Sequence, residues 1–538
     1  MRSETSKLGY TFKTLYFPRE RTHAGKAIRV TISLPGDADD ASLSKRFLSY
    51  ARALHSREFR LAIGDPYLEE LENCATEERR SFSNFCLRLL MRHYREQRPR
   101  DGPGTNIAHQ LALPLTRHQL QSAAGPRQSH RDLGVTFQES RHQPVHSWYP
   151  YIQGFSATYV RDVLLRNGSP PSSVYDPFGG AGTTQLAASC LGVKSFYSEV
   201  NPFMVFVAET KVRAASWAHR NMKSFRAIAD EYLSYLTPER LDELSADVDL
   251  SGYEEAFPGR QFFELRHLKH LLGARDLAHQ VAAESRQARS LLLLACAANA
   301  VHASNMTRRA DLRRRRQDEY KTRVVNVAAL VAESVRRMVD DTEHLPQRMA
   351  RTVKVSADCR RVPADFSNSF EMAITSPPYL NGTNYFRNTK IEMWLLGFIK
   401  SETELRKYRN EAVTAGINNV ARAGGSAYRE FESVEAVGRE LDECARDRRI
   451  PLLVRQYFSD MADVMASVHR SLVPGGRFVM DVGDSRFYGV HVPTDRLLAE
   501  VAHAAEFVVE NRHVLARRHS RDKSPLVQVE LVLRKPKG

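Results

Sequence analysis

The sequence predicts an α/β protein with a mostly parallel central sheet, an inserted helical module and an N-terminal accessory domain. Two observations favour this fold. The apolar segment 174–178 leads into a glycine-rich turn at 179–184, and the apolar segment 372–375 leads into a rigid turn at 376–379. Strands that end in such turns, with helices between them, are typical of doubly wound sheets. The long, mostly helical stretch between the two turns predicts the inserted module.

The chain has 538 residues, which is too long for one hydrophobic core, so we expect several domains. Shifts in composition along the chain set their boundaries. We predict an N-terminal accessory domain at 1–95 and a linker rich in Pro, Gly and Gln at 96–131. The first half of the α/β domain should follow at 132–214, the helical insert at 215–350 and the second half at 351–538.

Periodicity and capping residues predict the elements in order. In the accessory domain we expect a strand at 27–34 and helices at 42–60, 66–74 and 79–94. In the first half, Ser156 is the expected N-cap of a helix through Leu165. A strand, a helix and a second strand are then expected at 174–176, 184–190 and 195–198. Helices are expected in the insert at 262–272, 291–300 and 324–339. In the second half we expect a strand at 372–375 and a helix at 457–472. A Pro-Gly-Gly turn should then lead into a strand at 477–483, and a final strand is expected at 526–533.

The glycine-rich turn at 179–184 predicts a nucleoside site. Glycine accepts a positive φ and lets the backbone approach a ligand closely. The spacing is not the dinucleotide pattern G-x-G-x-x-G, and the turn lacks the Lys of a phosphate-binding P-loop, which argues against NAD and ATP. The next strand ends at Glu199, where a carboxylate binds the ribose diol in doubly wound folds. The alternative is a tight strand–helix turn with Glu199 as a surface acid.

The tetrapeptide Ser376-Pro377-Pro378-Tyr379 predicts a site for an amino group. Its prolines fix φ at about −65° and remove two backbone donors, so the carbonyls of the turn are free acceptors. These acceptors and Ser376 can take both hydrogens of an exocyclic amino group. Tyr379 can stack on a planar base, which is worth about 1–3 kcal/mol. The alternatives are a loop that merely ends a strand, and a Pro-Pro-Tyr ligand of proline-recognition domains, which the preceding buried strand disfavours.

Together the two motifs resemble those of the amino-methylating DNA methyltransferases, which methylate cytosine N4 or adenine N6 with S-adenosylmethionine. The family's first motif, D-P-F-x-G-x-G-T-T, is matched at 176–184, and its catalytic motif, [D/N/S]-P-P-[Y/F], is matched at 376–379. The resemblance covers about 131–214 and 352–538 and implies a Rossmann-like methyltransferase fold. The serine form of the catalytic motif is more typical of cytosine-N4 enzymes.

The resemblance also implies roles for individual residues. The catalytic residues would be Ser376, Pro377, Pro378 and Tyr379. The cofactor would contact the glycine-rich turn, with Glu199 at its ribose, Asp358 near its adenine, and Phe155 and Ser156 at its methionine end. The full set of expected cofactor-binding residues is Phe155, Ser156, Asp176, Pro177, Phe178, Gly179, Gly180, Gly182, Thr183, Glu199 and Asp358. No cysteine follows a proline, as cytosine-C5 methylation would require.

The formal net charge of +15 favours a polyanionic partner, and with the motifs we expect double-stranded DNA. A dense basic run lies in the insert at a spacing compatible with a helix, and we expect it to contact phosphates: Arg308, Arg309, Arg313, Arg314, Arg315 and Arg316. A solvated helix face is the alternative. The polar segment 400–450 predicts a variable loop over the cleft or a second DNA contact.

Other features bound the protein's class. Mean hydropathy is −0.44, and neither an apolar stretch long enough for a membrane span nor a secretory signal is found, so we expect a cytoplasmic protein. The six scattered cysteines predict neither disulfides nor a metal site. Adenine-N6 methylation, RNA methylation and a non-catalytic DNA-binding protein on the same scaffold remain alternatives. A companion restriction endonuclease or defence-system proteins are candidate partners.

Overall fold

The structure is a computed structural model that divides into two compact units, Met1–Leu115 and Thr116–Gly538. It describes the N-terminal segments 4–5, 10–17 and 28–35, and then 139–149, 154–308, 311–320, 323–380, 384–420, 428–520 and 523–537. Within these residues, no helix is both long and apolar enough to span a membrane.

The first unit contains a three-stranded antiparallel sheet formed by Glu4–Thr5, Tyr10–Phe17 and Ile28–Pro35. The strand predicted at 27–34 is therefore confirmed with a shift of one residue. The three helices predicted between 42 and 94, and the linker predicted at 96–131, lie outside the described residues. The boundaries of the accessory domain stay predictions.

The second unit is built on a seven-stranded sheet. Its strands, labelled in chain order β1 to β7, are Ser173–Asp176, Lys194–Ser198, Thr352–Ser356, Phe370–Thr375, Leu472–Gly483, Val508–His519 and Pro525–Arg534. Their order is β3-β2-β1-β4-β5-β7-β6. Strands β1 to β5 run parallel, and β7 is antiparallel to both of its neighbours. The predicted α/β fold with a mostly parallel sheet is confirmed.

The sheet topology locates a crevice. From β1 the chain passes to β2 and β3 on one side of the sheet, and later returns to β4 and β5 on the other side. In open α/β sheets, ligands bind outside the carboxyl ends of the strands where the strand order reverses in this way. Both sequence motifs follow strands that flank this point, because the glycine-rich turn follows β1 and the Pro-Pro turn follows β4.

Helices cover the sheet and form the insert. Labelled in chain order α1 to α15, they are Ala157–Leu165, Thr183–Cys190, Pro202–Glu209, Ala215–Arg220, Met222–Tyr235, Pro238–Leu244, Ser251–Ala256, Leu265–Val281, Arg286–Ala303, Val327–Glu343, Tyr385–Leu395, Leu405–Glu411, Glu432–Cys444, Arg449–Ser471 and Thr494–Ala504. A π-helical turn, Thr210–Ala214, joins α3 to α4. The stretch between β2 and β3 is mostly helical, as predicted.

The basic run in the insert is not helical, so its predicted helical spacing is wrong. Helix α9 ends at Ser304, whose backbone is extended, and Met306–Arg308 then pairs with Leu312–Arg314 as an antiparallel hairpin. Met306 and Leu312 are buried, and Thr307, Arg308 and Asp311 are partly exposed. Since the two short strands pair with each other, these parts of the run are extended where a helix was expected.

Within the segment 400–450, the described residues 400–420 and 428–450 are largely helical, unlike the expected variable loop. The segment contains α12, α13 and the start of α14. In α13, Val434, Gly438 and Leu441 recur at helical spacing and are buried. The helix expected at 457–472 begins earlier, at Arg449, because the apolar pattern continues backwards through Leu453 and Ile450.

Candidate active site

Asp176, the last residue of β1, organises the glycine-rich turn. Its carboxylate accepts hydrogen bonds from Thr184 Oγ1 at 2.6 Å, Thr375 Oγ1 at 2.7 Å and the Phe178 backbone N–H at 3.0 Å. Burial raises the pKa of Asp176, and these three donors act in the opposite direction. The carboxylate therefore joins the start of α2 to the end of β4 and fixes the turn between the two motifs.

Two glycines in this turn are required by close contacts. Gly182 has φ of +82°, and a Cβ there would lie 2.9 Å from Cα and Cβ of Ala208 in α3. A Cβ at Gly179 would lie 2.7 Å from Cδ2 of Tyr197. The packing of the turn on β2 at Gly179, and the approach of the start of α2 to α3 at Gly182, thus depend on residues without a side chain.

Glu199 follows β2 and faces the turn. Its Oε2 accepts the Gly180 backbone N–H and its Oε1 accepts the Asn201 backbone N–H, both at 2.8 Å. Burial raises the pKa of Glu199 to about 7, against the effect of these two donors. Each carboxylate oxygen keeps further acceptor capacity. Glu199 can therefore accept hydrogen bonds from a diol while its position is set by the backbone.

One cavity of about 670 Å³ lies at the carboxyl ends of β1 and β4. Most of the predicted site residues line it, from both motifs: Phe155, Asp176, Phe178, Gly179, Gly180, Thr183, Glu199, Ser376, Pro377, Pro378 and Tyr379. The volume lies within the range of roughly 300–1,000 Å³ found for small-molecule sites. Chain segments that are some 200 positions apart in the sequence thus form one site.

Three other predicted residues lie in the elements that form the cavity but do not line it. Ser156 is buried and caps α1, where its Oγ accepts the Tyr159 backbone N–H at 3.1 Å. The predicted N-cap role of Ser156 is therefore confirmed. Pro177 is buried within the turn, and Gly182 packs against Ala208. None of the three is among the residues that line the cavity.

Asp358 does not line the cavity, which departs from the expected contact with the adenine. Arg360 occupies its carboxylate, through Nε at 2.9 Å and Nη2 at 3.1 Å, and the Arg360 backbone N–H adds a bond of 3.0 Å. The same guanidinium donates to Asp460 Oδ1 at 2.9 Å. The resemblance that implied a role for Asp358 did not show the neighbouring arginine as a competing partner.

Tyr379 contacts strands β5 and β7, which come after β4 in the order of the sheet. A Cβ at Gly483 would come within 3.3 Å of its Cε2, and its hydroxyl accepts a hydrogen bond from Gln528 Nε2 at 3.2 Å. Burial raises the pKa of Tyr379 above its ordinary value, so the phenol stays protonated. Gly483 contacts the edge of the ring and Gln528 holds its hydroxyl, and Tyr379 lines the cavity.

No family model matches this chain. Among curated proteins, it is 21% identical over 418 residues to the Type II methyltransferase M.BsoBI of Geobacillus stearothermophilus, a match that covers 68% of this chain and 79% of the relative. It is 22% identical over 418 residues to the Type II methyltransferase M.AvaI of a Nostoc strain and of Anabaena variabilis, covering 71% of this chain and 83% of the relative. The chain is therefore similar to Type II methyltransferases, and its cofactor is S-adenosylmethionine.

Two solved structures match this chain at low identity. A SAM-dependent methyltransferase from Methanosarcina mazei is 8% identical with a TM-score of 0.25, covering 68% of this chain and 93% of that one. The rRNA methyltransferase AviRa from Streptomyces viridochromogenes is 11% identical with a TM-score of 0.22, covering 75% and 92%. We assign the fold from the order and direction of the strands described above.

The arginines of the basic run differ in their surroundings. Arg308 forms a buried ion pair with Glu392 and donates to the Tyr149 hydroxyl at 3.1 Å, so it lies inside the methyltransferase and not on its surface. Arg313 pairs with Glu319 at 2.8 Å. Arg314 and Arg316 are exposed and Arg315 is half-buried. Arg309 lies outside the described residues.

The hairpin that carries these arginines reaches the cavity. Asp311, just before its second strand, lines the cavity and pairs with Arg387 of α11 at 3.1 Å. Arg314 and Arg316 follow Asp311 by three and five positions. The exposed positive charges of the hairpin are therefore close in sequence to a residue of the cavity wall.

Part of the cavity wall comes from 412–419, within the segment 400–450 that was expected over the cleft, and Asp460 Oδ2 holds its backbone by accepting the Thr414 N–H at 2.8 Å. Two further residues of the wall, Arg518 of β6 and Gln528 of β7, were not predicted from the sequence. Gln528 donates to Asp481 of β5, a buried carboxylate whose pKa burial raises to about 6. Charged and amide residues inside otherwise apolar strands, as at Asp481 and Gln528, are the signal that could have revealed them.

Proposed function

We propose that this protein methylates DNA on the exocyclic amino group of a flipped base, and that the base is cytosine, methylated at N4. The observation that supports this most is the shared cavity. One side carries the glycine-rich turn with Glu199, and the other carries Ser376-Pro377-Pro378-Tyr379. A cofactor site and an amino-group site in one cavity suit direct methyl transfer between two bound molecules.

The residues present fit S-adenosylmethionine. Gly179 and Gly180 of the turn line the cavity, and the lack of a side chain at Gly179 lets the turn pack closely on Tyr197. Glu199 offers acceptors for the ribose diol, and Phe155, Phe178 and Met204 add apolar walls. Asp176 contributes by holding the turn, because its hydrogen bonds join the turn to α2 and β4.

The chain's own contribution to the reaction is to bind and orient the base. When bound, S-adenosylmethionine supplies a sulfonium methyl group to the attacking amino nitrogen and leaves as the thioether, while one amino proton is released. Ser376 and the carbonyls of the Pro-Pro turn accept the amino hydrogens, which directs the nitrogen lone pair towards the cofactor side of the cavity. Tyr379 stacks on the base. The proton passes to Ser376 or to solvent.

The choice of cytosine follows from Ser376. A neutral serine at the head of the tetrapeptide is more typical of the cytosine-N4 members of the family than Asp or Asn. Its hydroxyl can accept one amino hydrogen while a carbonyl of the turn accepts the other. The same arrangement can also serve adenine N6, so the product must be identified directly.

The choice of DNA is supported by the Type II methyltransferase relatives and by charge. The formal net charge is +15, and a polyanion gains most of its non-specific affinity from neutralised phosphates. The exposed Arg314 ends the hairpin that reaches the cavity through Asp311, and the exposed Arg316 follows it by two residues. We propose that this hairpin contacts the DNA backbone beside the flipped base. A companion restriction endonuclease is a candidate partner of such an enzyme.

Transfer of labelled methyl groups tests the proposed substrate class. The protein would be incubated with methyl-labelled S-adenosylmethionine and either duplex DNA or total RNA, with Tyr379→Ala as the inactive control. We expect label in DNA with the wild type and none above background with the variant. Label in RNA alone would refute DNA as the substrate, and equal label with Tyr379→Ala would refute the assigned catalytic turn.

A further inference from the structure

We propose that Arg518 recognises the pyrimidine edge of the flipped base, and that Gln528 and Asp481 orient it for this task. The inference rests on the proposed function and deepens it, because it names a residue that makes the site prefer cytosine. Arg518 and Gln528 line the same cavity as the catalytic turn. Neither residue belongs to a motif that carried the family resemblance.

Arg518 lies where the base would stack. Its Cζ is 5.9 Å from the centroid of the Tyr379 ring, within the distance of a cation–π contact. The residue is on β6, and the turn that carries Tyr379 follows β4, so the guanidinium and the aromatic ring approach the cavity from different strands. The guanidinium therefore lies over the Tyr379 ring, so a base that enters the cavity and reaches this ring also comes within reach of Arg518.

The orientation of Arg518 is set by Asp481 through Gln528. Both Asp481 and Gln528 are almost fully buried, at 1% and 2% exposure. An ionised carboxylate only accepts hydrogen bonds, so the amide nitrogen of Gln528 faces Asp481, at 2.6 and 2.8 Å from the two carboxylate oxygens. The amide oxygen must then point away, and it accepts a hydrogen bond from Arg518 Nη2.

This bond uses one of the five N–H donors of a guanidinium. The planar fork that remains can donate two parallel hydrogen bonds to two neighbouring acceptors. A flipped base is recognised in this way along its Watson–Crick edge. The oriented Arg518 guanidinium therefore offers two parallel N–H donors. The base it prefers is the one whose edge presents two neighbouring acceptors.

Cytosine and adenine differ next to the amino group. In cytosine, the amino group at N4 is followed along the edge by N3 and O2, which are both acceptors. In adenine, the amino group at N6 is followed by N1, an acceptor, and then by a C–H group. A guanidinium fork can make two hydrogen bonds to cytosine, whereas with adenine one donor would be left unpaired. Arg518 thus favours cytosine independently of Ser376.

A second arginine in the cavity is less suited to the role. Arg449 also lines the cavity, but its Nη2 is 2.7 Å from Asp447 Oδ2, and its Nε donates to the same carboxylate at 3.0 Å. That bidentate pair occupies one edge of the Arg449 guanidinium and sets its positive charge against a carboxylate. Arg518 has a neutral amide as its partner, so its charge is not neutralised by the contact.

The test compares Arg518→Ala and Arg518→Lys with Arg517→Ala as a matched control. Arg517 is the preceding residue of β6, and successive side chains of a strand point to opposite faces. The control removes the same charge from the other face. Each variant would be assayed for thermal unfolding, for S-adenosylmethionine affinity, and for kcat and KM of N4-methylcytosine and N6-methyladenine formation on the same DNA.

We expect Arg518→Ala to lower kcat/KM for N4-methylcytosine by roughly 10- to 100-fold, the scale of one bidentate base contact. Arg518→Lys should recover little of this loss, since an ammonium group lacks the fork. The ratio of N4-methylcytosine to N6-methyladenine should fall in both variants, with unfolding temperature and cofactor affinity unchanged. Arg517→Ala should stay within about twofold of the wild type.

Four results would overturn the proposal. If Arg518→Ala forms N4-methylcytosine at the wild-type rate, Arg518 does not recognise the base, although the proposed function stands. If Arg517→Ala loses as much activity, the effect is one of charge and not of position. If Arg518→Ala loses cofactor affinity, the residue belongs to the cofactor site. If the wild type forms N6-methyladenine alone, the proposed cytosine specificity fails together with this inference.

Discussion

Gly180 donates its backbone N–H to Glu199 Oε2 at 2.8 Å, which ties the turn after β1 to the end of β2. The second carboxylate oxygen is fixed in the same way by the backbone N–H of Asn201, the residue that caps α3. The acid proposed to bind the ribose is therefore in position before a ligand arrives. Such preorganisation lowers the cost of ordering a site on binding.

We predict that cofactor affinity rises with pH and that Glu199 causes the rise. Burial raises the pKa of Glu199 to about 7, so the fraction of ionised carboxylate increases between pH 6 and pH 8. The ionised form makes the stronger hydrogen bonds to a diol. Calorimetry should show tighter binding of S-adenosylmethionine at pH 8 than at pH 6 for the wild type, and a flat profile for Glu199→Gln.

Glu199→Ala should weaken binding by about 1–3 kcal/mol, the scale of hydrogen bonds to a charged group. Asp358→Ala is the matched comparison, because Asp358 is also a predicted cofactor acid but pairs with Arg360 and does not line the cavity. We expect its effect on cofactor affinity to be small. Unchanged binding in Glu199→Ala would remove Glu199 from the site.

Gly182→Ala should destabilise the fold much more than Gly192→Ala. Both glycines have positive φ, at +82° and +76°, so both substitutions carry backbone strain of roughly 1–2 kcal/mol. At Gly182 the new Cβ would also lie 2.9 Å from Ala208, and overpacking adds about 1–3 kcal/mol, whereas no atom lies within 4 Å at Gly192. Urea unfolding measures both changes. Equal losses of unfolding free energy would show that the close approach of α2 and α3 is not required.

Replacing Arg314 and Arg316 by Gln should weaken binding to DNA of any sequence. If both contact phosphates, the slope of log K against log salt should fall by about 1.8, since each lost B-DNA contact contributes about 0.9. Arg240→Gln with Arg337→Gln is the control, because these insert arginines already pair with Glu243 at 2.5 Å and Glu333 at 2.7 Å. An unaltered affinity and salt slope in the Arg314/Arg316 variant would mean that the hairpin is only solvated.

Tyr379→Ala and Pro378→Ala should each abolish methylation while S-adenosylmethionine binding stays nearly intact. Tyr379 provides the stacking surface, and Pro378 keeps the turn rigid and its carbonyls free. Tyr235→Ala serves as the control, since Tyr235 is an exposed tyrosine that does not line the cavity. Full activity in either turn variant would contradict the catalytic assignment of the tetrapeptide.

The sequence predicted the central strands of the fold well because they are apolar and end in turns that glycine or proline marks. Strand β6 was missed for the opposite reason. It is the sheet's last strand in the order, its residues are mostly exposed, and it carries Arg512, Arg517 and Arg518, so it has no apolar pattern. The hairpin at 306–314 was taken for a helix because a run of arginines has no period that distinguishes the two structures.

The site was predictable where a local motif indicates the kind of group it binds, as at 176–184 and 376–379. It was not predictable where a role depends on a partner distant in the sequence. Arg308 and Arg314 belong to one basic run, yet only Arg308 meets the buried Glu392. Asp358 has the expected motif position, but Arg360 binds it. Arg518 enters the cavity only because β6 and β7 pair and bring it against Gln528.

The central claim, transfer of a methyl group to cytosine N4 in DNA, is tested most directly by identifying the product. DNA treated with the protein and S-adenosylmethionine would be digested to nucleosides and analysed by mass spectrometry, beside DNA treated with Tyr379→Ala. The account predicts N4-methyldeoxycytidine with the wild type and none with the variant. N6-methyldeoxyadenosine as the sole product would contradict the base assignment, and the absence of any methylated deoxynucleoside would contradict the proposed function.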